Sequence, residues 1–182
     1  MKIEEVMLTV SRSLEAAGIP YMLVGSFSSN YHGIPRSTED VDFVIEFNSP
    51  LTAEFARLLG NDFKLEPQLS FETNTGTQRQ EFFVEGTAFK VELFRLSSDP
   101  FDQQRFKRKK IVEIGGQRVF FPTPEDVIIM KLRWARGKDI EDVRDVISVQ
   151  NDNLDWNYIE EWCKNHGTLT LLTQIRRSAA ET

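Results

Sequence analysis

The segment 40-DVDFVIE-46 constrains this chain more than any other. Side chains alternate along a strand, so Asp40, Asp42, Val44 and Glu46 take one face while Val41, Phe43 and Ile45 take the other. The second set reads as the buried side, which leaves two carboxylates on one face about 7 Å apart at about 3.3 Å per residue. Two carboxylates able to aim at one point suit a hard cation such as Mg²⁺, which commonly takes one or two carboxylates together with substrate phosphates. The plainer alternative is a turn-favoured Asp after Ser37-Thr38-Glu39, with Asp42 capping or paired.

The residues upstream favour the metal. The run 21-YMLVG-25 is a short apolar strand closed by a glycine, and 26-SFSSNYHG-33 is a short helix at most. A glycine there lets the backbone approach a ligand closely, and Ser26 would open a helix whose free N–H groups and dipole favour a phosphate. Gly25-Ser26 as an anion cradle and Asp40/Asp42 as a metal pair together describe a nucleoside triphosphate site. Glu92, in 89-FKVELF-94, has Val91 and Leu93 turned away from it and would be a third acid if its strand lies alongside. Acids so arranged around two metal ions stabilise both oxygens of an in-line phosphoryl displacement, so the expected reaction is nucleotidyl transfer.

The remaining elements fit one α+β fold. Val6, Val10, Leu14 and Ala17 recur at helical spacing, and Gly18 and Pro20 end that helix. A second helix is expected over 51–60, while 63–80 is ambiguous. Residues 79–94 read as a hairpin around Gly86, and 109–121 as a second hairpin turning on Gly115-Gly116. Beyond 122-PTP-124 the pattern is helical, roughly over 124–136, 139–149, 155–166 and 168–179. The expected organisation is a catalytic core over 1–122, a mixed and mostly antiparallel sheet flanked by helices, and a helical segment over 123–182 that packs on it.

Composition excludes several classes. No stretch approaches the roughly 20 apolar residues that span a bilayer, and the first residues lack the basic start and apolar run of a signal peptide. With Cys163 as the only cysteine there is no internal disulfide, and a cytoplasmic protein is expected. The net charge of −6 argues against a broad nucleic-acid-binding surface. The basic run 105-RFKRKK-110 is the local exception, read first as a solvated edge.

The pattern 25-GS-26, thirteen residues, then 40-DVD-42 resembles the signature of the DNA polymerase β-like nucleotidyltransferase superfamily. The stretches 31-YHGIPRSTEDVDF-43 and 124-PEDVIIMKLRWARGKDIEDVRDV-146 resemble its bacterial branch of abortive-infection toxins and small stand-alone nucleotidyltransferases. The resemblance implies a nucleotidyltransferase fold and Mg²⁺-dependent transfer of a nucleoside monophosphate from an NTP such as ATP. It also implies Asp40, Asp42 and Glu92 as catalytic metal ligands, with two metals when the NTP is bound. The acceptor would be a hydroxyl on tRNA or another RNA, a protein or a small molecule, and the toxin-like branch implies an antitoxin partner. The chain departs from the commoner pattern in two places, with Gly-Ser for Gly-Gly and Glu92 for an Asp. A binding module that keeps the fold without catalysis is the alternative, although the intact Asp pair argues against it.

Lys131 lies inside the apolar arc of its helix, so it either extends to water or meets an anion. The resembling family carries a lysine in this segment, which implies a triphosphate ligand. Arg36 either meets the triphosphate as well or pairs with Glu39 or Asp40. Asp139 is expected to cap a helix starting at Ile140, and Asp142 to take a capping or surface role or to orient Lys131. His32 is expected at a helix end or in the core, His166 at a helix C-terminus, and Trp156, Tyr158 and Trp162 in the helical core.

Overall fold

The computed structural model describes residues 1–47, 53–68, 70–72 and 76–180. The chain divides into two compact units, Met1–Phe27 with Ser37–Phe121, and Ser28–Arg36 with Pro122–Thr182.

The first unit is built on a mixed sheet. Helix α1 (Ile3–Ala16) buries Val6, Val10 and Leu14 along one stripe, with Met7 beside them. It ends where Gly18 adopts a left-handed φ of +66°. The strands are β1 (Tyr21–Leu23), β2 (Asp40–Ile45), β3 (Phe63–Leu65), β4 (Ser70–Phe71), β5 (Gln78–Val84) and β6 (Lys90–Arg95). They run in the order β1-β2-β6-β5-β3, with β4 also on β5. Only β2 and β6 pair in parallel among the described strands, and the remaining pairs are antiparallel. The ambiguous 63–80 region therefore supplies β3, β4 and the start of β5.

Alternation decides the core. Val41, Phe43 and Ile45 of β2, Val91 and Leu93 of β6, and Phe82 and Val84 of β5 join Val6, Val10 and Leu14 of α1 in one buried cluster. Each such side chain contributes about 1.5–3 kcal/mol when fully removed from water, so a one-residue slip of β2 would bury its acids instead of its apolar residues. That fixes the register. The second expected hairpin is β7 (Lys110–Ile114) with β8 (Gln117–Phe121). Gly115 and Gly116 turn it with φ of +59° and +74°, the two positive values that a tight hairpin turn needs.

Of the helix expected over 51–60, α3 occupies Ala53–Leu59, and residues 51 and 52 lie outside the described residues. Helix α4 (Pro100–Arg108) is not among the elements expected from the sequence. The available signal is Asp99-Pro100: the Asp99 carboxylate accepts the Phe101 and Asp102 N–H groups at 3.0 and 3.1 Å, and Pro100 takes the first turn, where its missing N–H costs nothing. This helix absorbs much of the basic run, since Arg105 is buried against Asp102 at 2.9 Å and Lys109 lies 3.7 Å from the Phe106 ring.

The second unit is helical. Its elements are α5 (Pro124–Trp134), α6 (Gly137–Gln150), α7 (Trp156–His166) and α8 (Leu169–Ala180). Thr123 and Asp155 cap α5 and α7 through side-chain oxygens, as short polar residues at an N-cap do. Val127, Ile128, Leu132, Val143, Val146, Ile159 and Cys163 are buried. Trp156, Tyr158 and Trp162 are only half-buried, so Ile159 and Cys163 form the core stripe of α7 rather than the aromatics. His166 ends α7 before Gly167, which takes the left-handed cap at φ +72°.

Candidate active site

In the first unit the chain leaves β1 directly beside the acid pair. The Val24 N–H donates to the Asp42 carbonyl at 2.8 Å, which continues the ladder past the Leu23–Phe43 pair. Gly25 follows with φ +61° and begins helix α2 (Gly25–His32). A Cβ placed on Gly25 would lie 1.9 Å from Asp42 Oδ2 and 2.8 Å from its Cγ. Only glycine meets both demands, a left-handed backbone and the space the carboxylate occupies. The space beside Gly25 is thus filled by Asp42 itself, and Ser26 is buried next in the chain.

Across the sheet, the register sets acids side by side. Asp42 of β2 is paired with Glu92 of β6, which is paired with Glu81 of β5. One step along, Asp40 is paired with Lys90 and Lys90 with Phe83. Directly paired residues share a face, so Asp40, Asp42, Glu81, Lys90, Glu92 and Arg79 stand together on the face opposite the apolar cluster. Lys90 Nζ is 2.7 Å from Glu92 Oε1 and 3.8 Å from both Asp40 Oδ1 and Glu81 Oε2. Arg79 reaches Glu81 at 2.7 Å and Glu92 at 3.2 Å. Partial burial works against the Lys90 charge, but Glu92, then Asp40 and Glu81, outweigh it and hold the ammonium above its ordinary range.

Glu92 does lie on a strand alongside Asp42, yet its carboxylate is engaged by two cations. Sequence reasoning missed Lys90, Arg79 and Glu81. Their alternation with Glu92 is visible in the sequence, but charged residues at every second position of a strand are ordinary. Among the described residues, no group of three or more His, Cys, Asp and Glu side chains is gathered to hold a metal ion. The donor set on this face of β2 is the carboxylates of Asp42, which lies against Gly25, and Asp40. All-oxygen and incomplete, it fits Mg²⁺ of the kind that draws its other ligands from water and substrate phosphates.

Arg36 and Lys131 meet in the second unit. The Arg36 guanidinium forks onto Asp142, with Nε 2.7 Å from Oδ1 and Nη2 3.0 Å from Oδ2. Arg36 thus pairs with Asp142, a partner that neither of its two expected roles included. Lys131, buried in α5, donates to Asp142 Oδ2 at 2.6 Å and Asp139 Oδ1 at 3.1 Å. Ser29 donates to Asp142 Oδ2 at 3.0 Å. Asp139 does not cap a helix at Ile140, because α6 starts at Gly137; it is buried and accepts the Arg136 backbone N–H and Nε. Burial pushes Asp142 and Asp139 up, but Arg36 with Lys131, and Arg136 with Lys131, outweigh it and hold both carboxyls below the usual range. His32, at the end of α2, lies with Nε2 2.8 Å from the Pro122 carbonyl, and burial holds its imidazole below its ordinary range.

A mixed sheet with a glycine pressed against an Asp-x-Asp strand and a further acid in register beside it defines the class: this is the fold of the nucleotidyltransferases. The chain belongs to the family described as nucleotidyl transferase of unknown function (DUF2204), which it matches over residues 3–170. Its structure is similar to that of an antigenic nucleotidyltransferase-like protein from Paracoccidioides brasiliensis, with a TM-score of 0.62 and 22% identity over 98% of this chain and 91% of that one. It is also similar to ANT(2'')-Ia in complex with adenylyl-2''-tobramycin, at a TM-score of 0.55 and 13% identity over 91% of this chain and 98% of the other. A third similar structure is the lincomycin-bound lincosamide antibiotic adenylyltransferase LnuA, at a TM-score of 0.52 and 12% identity over 80% and 97% of the two chains. No curated protein matches the sequence. Among the described residues, no helix is long and apolar enough to cross a membrane.

Proposed function

We propose that the protein transfers a nucleoside monophosphate from an NTP to a hydroxyl, in a reaction that depends on Mg²⁺. The observation that carries this reading is the contact of Gly25 with the Asp42 carboxylate, on a face where Asp42 stands in register with Glu92 and Asp40 lies two residues along the same strand. A glycine kept free of a side chain by an acid is a costly arrangement for a merely structural turn. It makes sense where the acid must stand beside backbone N–H groups that can meet phosphates.

Asp40 and Asp42 would hold Mg²⁺, with Glu92 as the third acid. The bound metal supplies charge stabilisation for the phosphoryl group being displaced. The residues of the chain do the rest: β2 holds the two aspartates rigid through Val41, Phe43 and Ile45, and Gly25 and Ser26 present the α2 N-terminus to the triphosphate. In the second unit Asp142 holds Arg36 and Lys131, the two cations expected to meet a triphosphate. The antibiotic-modifying proteins of similar fold support a small-molecule hydroxyl as acceptor. The basic residues around α4 leave an RNA end as the competing one, and a toxin role would add an antitoxin partner.

The test is incubation with each labelled NTP, Mg²⁺ and a cell extract, followed by identification of what takes up label. Transfer that needs Mg²⁺ and disappears in Asp40→Ala and Asp42→Ala is the expected result, and the labelled species identifies the acceptor. If calorimetry finds no Mg²⁺-dependent NTP binding and Asp40→Ala changes nothing, the protein is a non-catalytic module of the same fold. Growth arrest on expression, relieved by a neighbouring gene product, would establish the toxin role.

A further inference from the structure

Four carboxylates, those of Asp40, Asp42, Glu81 and Glu92, share the charged face of β2, β6 and β5 with two cations, Lys90 and Arg79. On this face the acids outnumber the cations by two. Lys90 is placed differently from Arg79. Its ammonium meets an acid from each of the three strands, Asp40 on β2, Glu92 on β6 and Glu81 on β5, whereas the Arg79 pairs are with Glu81 and Glu92.

We infer that Lys90 is a built-in counter-ion that holds Glu92 in the nucleotide-free protein and competes with a divalent cation for the acid face. The inference rests on the Mg²⁺ reading of Asp40 and Asp42. A lysine suits this role because its head is a compact point charge on a flexible four-carbon stem. The Lys90 side chain is 28% exposed, so its ammonium has a route into water that a fully buried one would lack. While it stays, the third acid is satisfied and the repulsion keeps divalent cations weakly bound. A triphosphate brings further negative charge to the same face and shifts the competition toward the metal. The chain would thereby bind metal tightly only together with nucleotide.

The test is the affinity of the nucleotide-free protein for Mn²⁺, read as free Mn²⁺ by electron paramagnetic resonance. A unit positive charge about 6 Å from a divalent ion costs it about ten-fold in affinity even at the dielectric constant of water. Lys90→Met is therefore expected to bind Mn²⁺ at least about ten-fold more tightly than the wild type, while Lys90→Arg, which keeps the charge, stays within about two-fold of it. Circular dichroism confirms that both variants are folded. Equal or weaker Mn²⁺ binding by folded Lys90→Met overturns the inference. A parallel titration with Mn²⁺ and ATP on the wild type and Asp42→Asn separates the two readings. If that binding is present and depends on Asp42, a null result for Lys90→Met sinks the counter-ion alone; if it is absent, the metal reading fails and the counter-ion with it.

Discussion

Replacing Gly25 with alanine tests the structural observation on which the function rests. Two costs arise. The first is backbone strain: a left-handed conformation costs a residue with a Cβ about 1–2 kcal/mol, partly offset by about 0.4–1 kcal/mol because alanine restricts the unfolded chain. The second is crowding. The new Cβ would lie 1.9 Å from Asp42 Oδ2, and real Cβ contacts essentially never fall below 3.0 Å, so the carboxylate or the strand must retreat by about 1.1 Å. A displacement of about 1 Å at reacting groups costs on the order of 100-fold in rate.

Gly18 separates the two costs, because it has nearly the same φ, +66° against +61°, and a Cβ added there would meet nothing within 4 Å. Gly18→Ala is therefore expected to lose about 1 kcal/mol, a Tm shift of about 2–4 °C for a chain of this size, with Mn²⁺–ATP affinity unchanged. Gly25→Ala should lose more in Tm and about 100-fold in nucleotidyl transfer, with weakened Mn²⁺–ATP binding. Thermal melts by circular dichroism and calorimetric titration provide the readouts. If the two variants behave alike in both, the glycine is there for its backbone alone and the Asp42 contact has no functional weight.

Lys131→Met would remove one cationic partner from the buried Asp139 and Asp142, and should cost about 3–5 kcal/mol in urea unfolding. Asp139 and Asp142 titrate below their unfolded range, so their contribution is present above about pH 4 and is lost as pH falls through their folded values. Asp142→Asn should flatten the acid limb of a stability-versus-pH curve. His32 titrates below its unfolded range; as pH falls the unfolded chain takes the proton first, so its contribution is complete above about pH 6.5 and declines below it. His32→Gln should remove the slope of stability between about pH 7 and pH 5, measured by urea unfolding at each pH.

Much of the fold is legible in the sequence because its signals are local. The alternation of Val41, Phe43 and Ile45 against Asp40 and Asp42 defines a strand with one dry face whatever surrounds it. Gly115-Gly116 defines a hairpin, and the apolar spacing after Pro124 defines helices, because periodicity and turn chemistry act within a few residues. Helix α4 escapes such a reading although Asp99-Pro100 announces it, since its interior is too polar to show an apolar stripe; 100-PFDQQRFKR-108 buries few apolar side chains, chiefly Phe101 and Phe106. The acid pair and its neighbouring glycine are also readable, as residue types at a spacing.

The pairings are not readable. Asp42 stands beside Glu92 only because β2 and β6 pair in parallel, with that register fixed by the apolar cluster on the other face. Arg36 finds Asp142 at a sequence separation of 106 residues, where local spacing carries no information. Lys90 is one of many lysines until the sheet surrounds it with three acids. What the sequence determined by itself was which residues must be buried and which chemistry the chain carries, because those follow from side-chain polarity and period. The tertiary structure decided which charges meet, because each charge has many acceptable partners and only the packing of the whole sheet and helices selects among them.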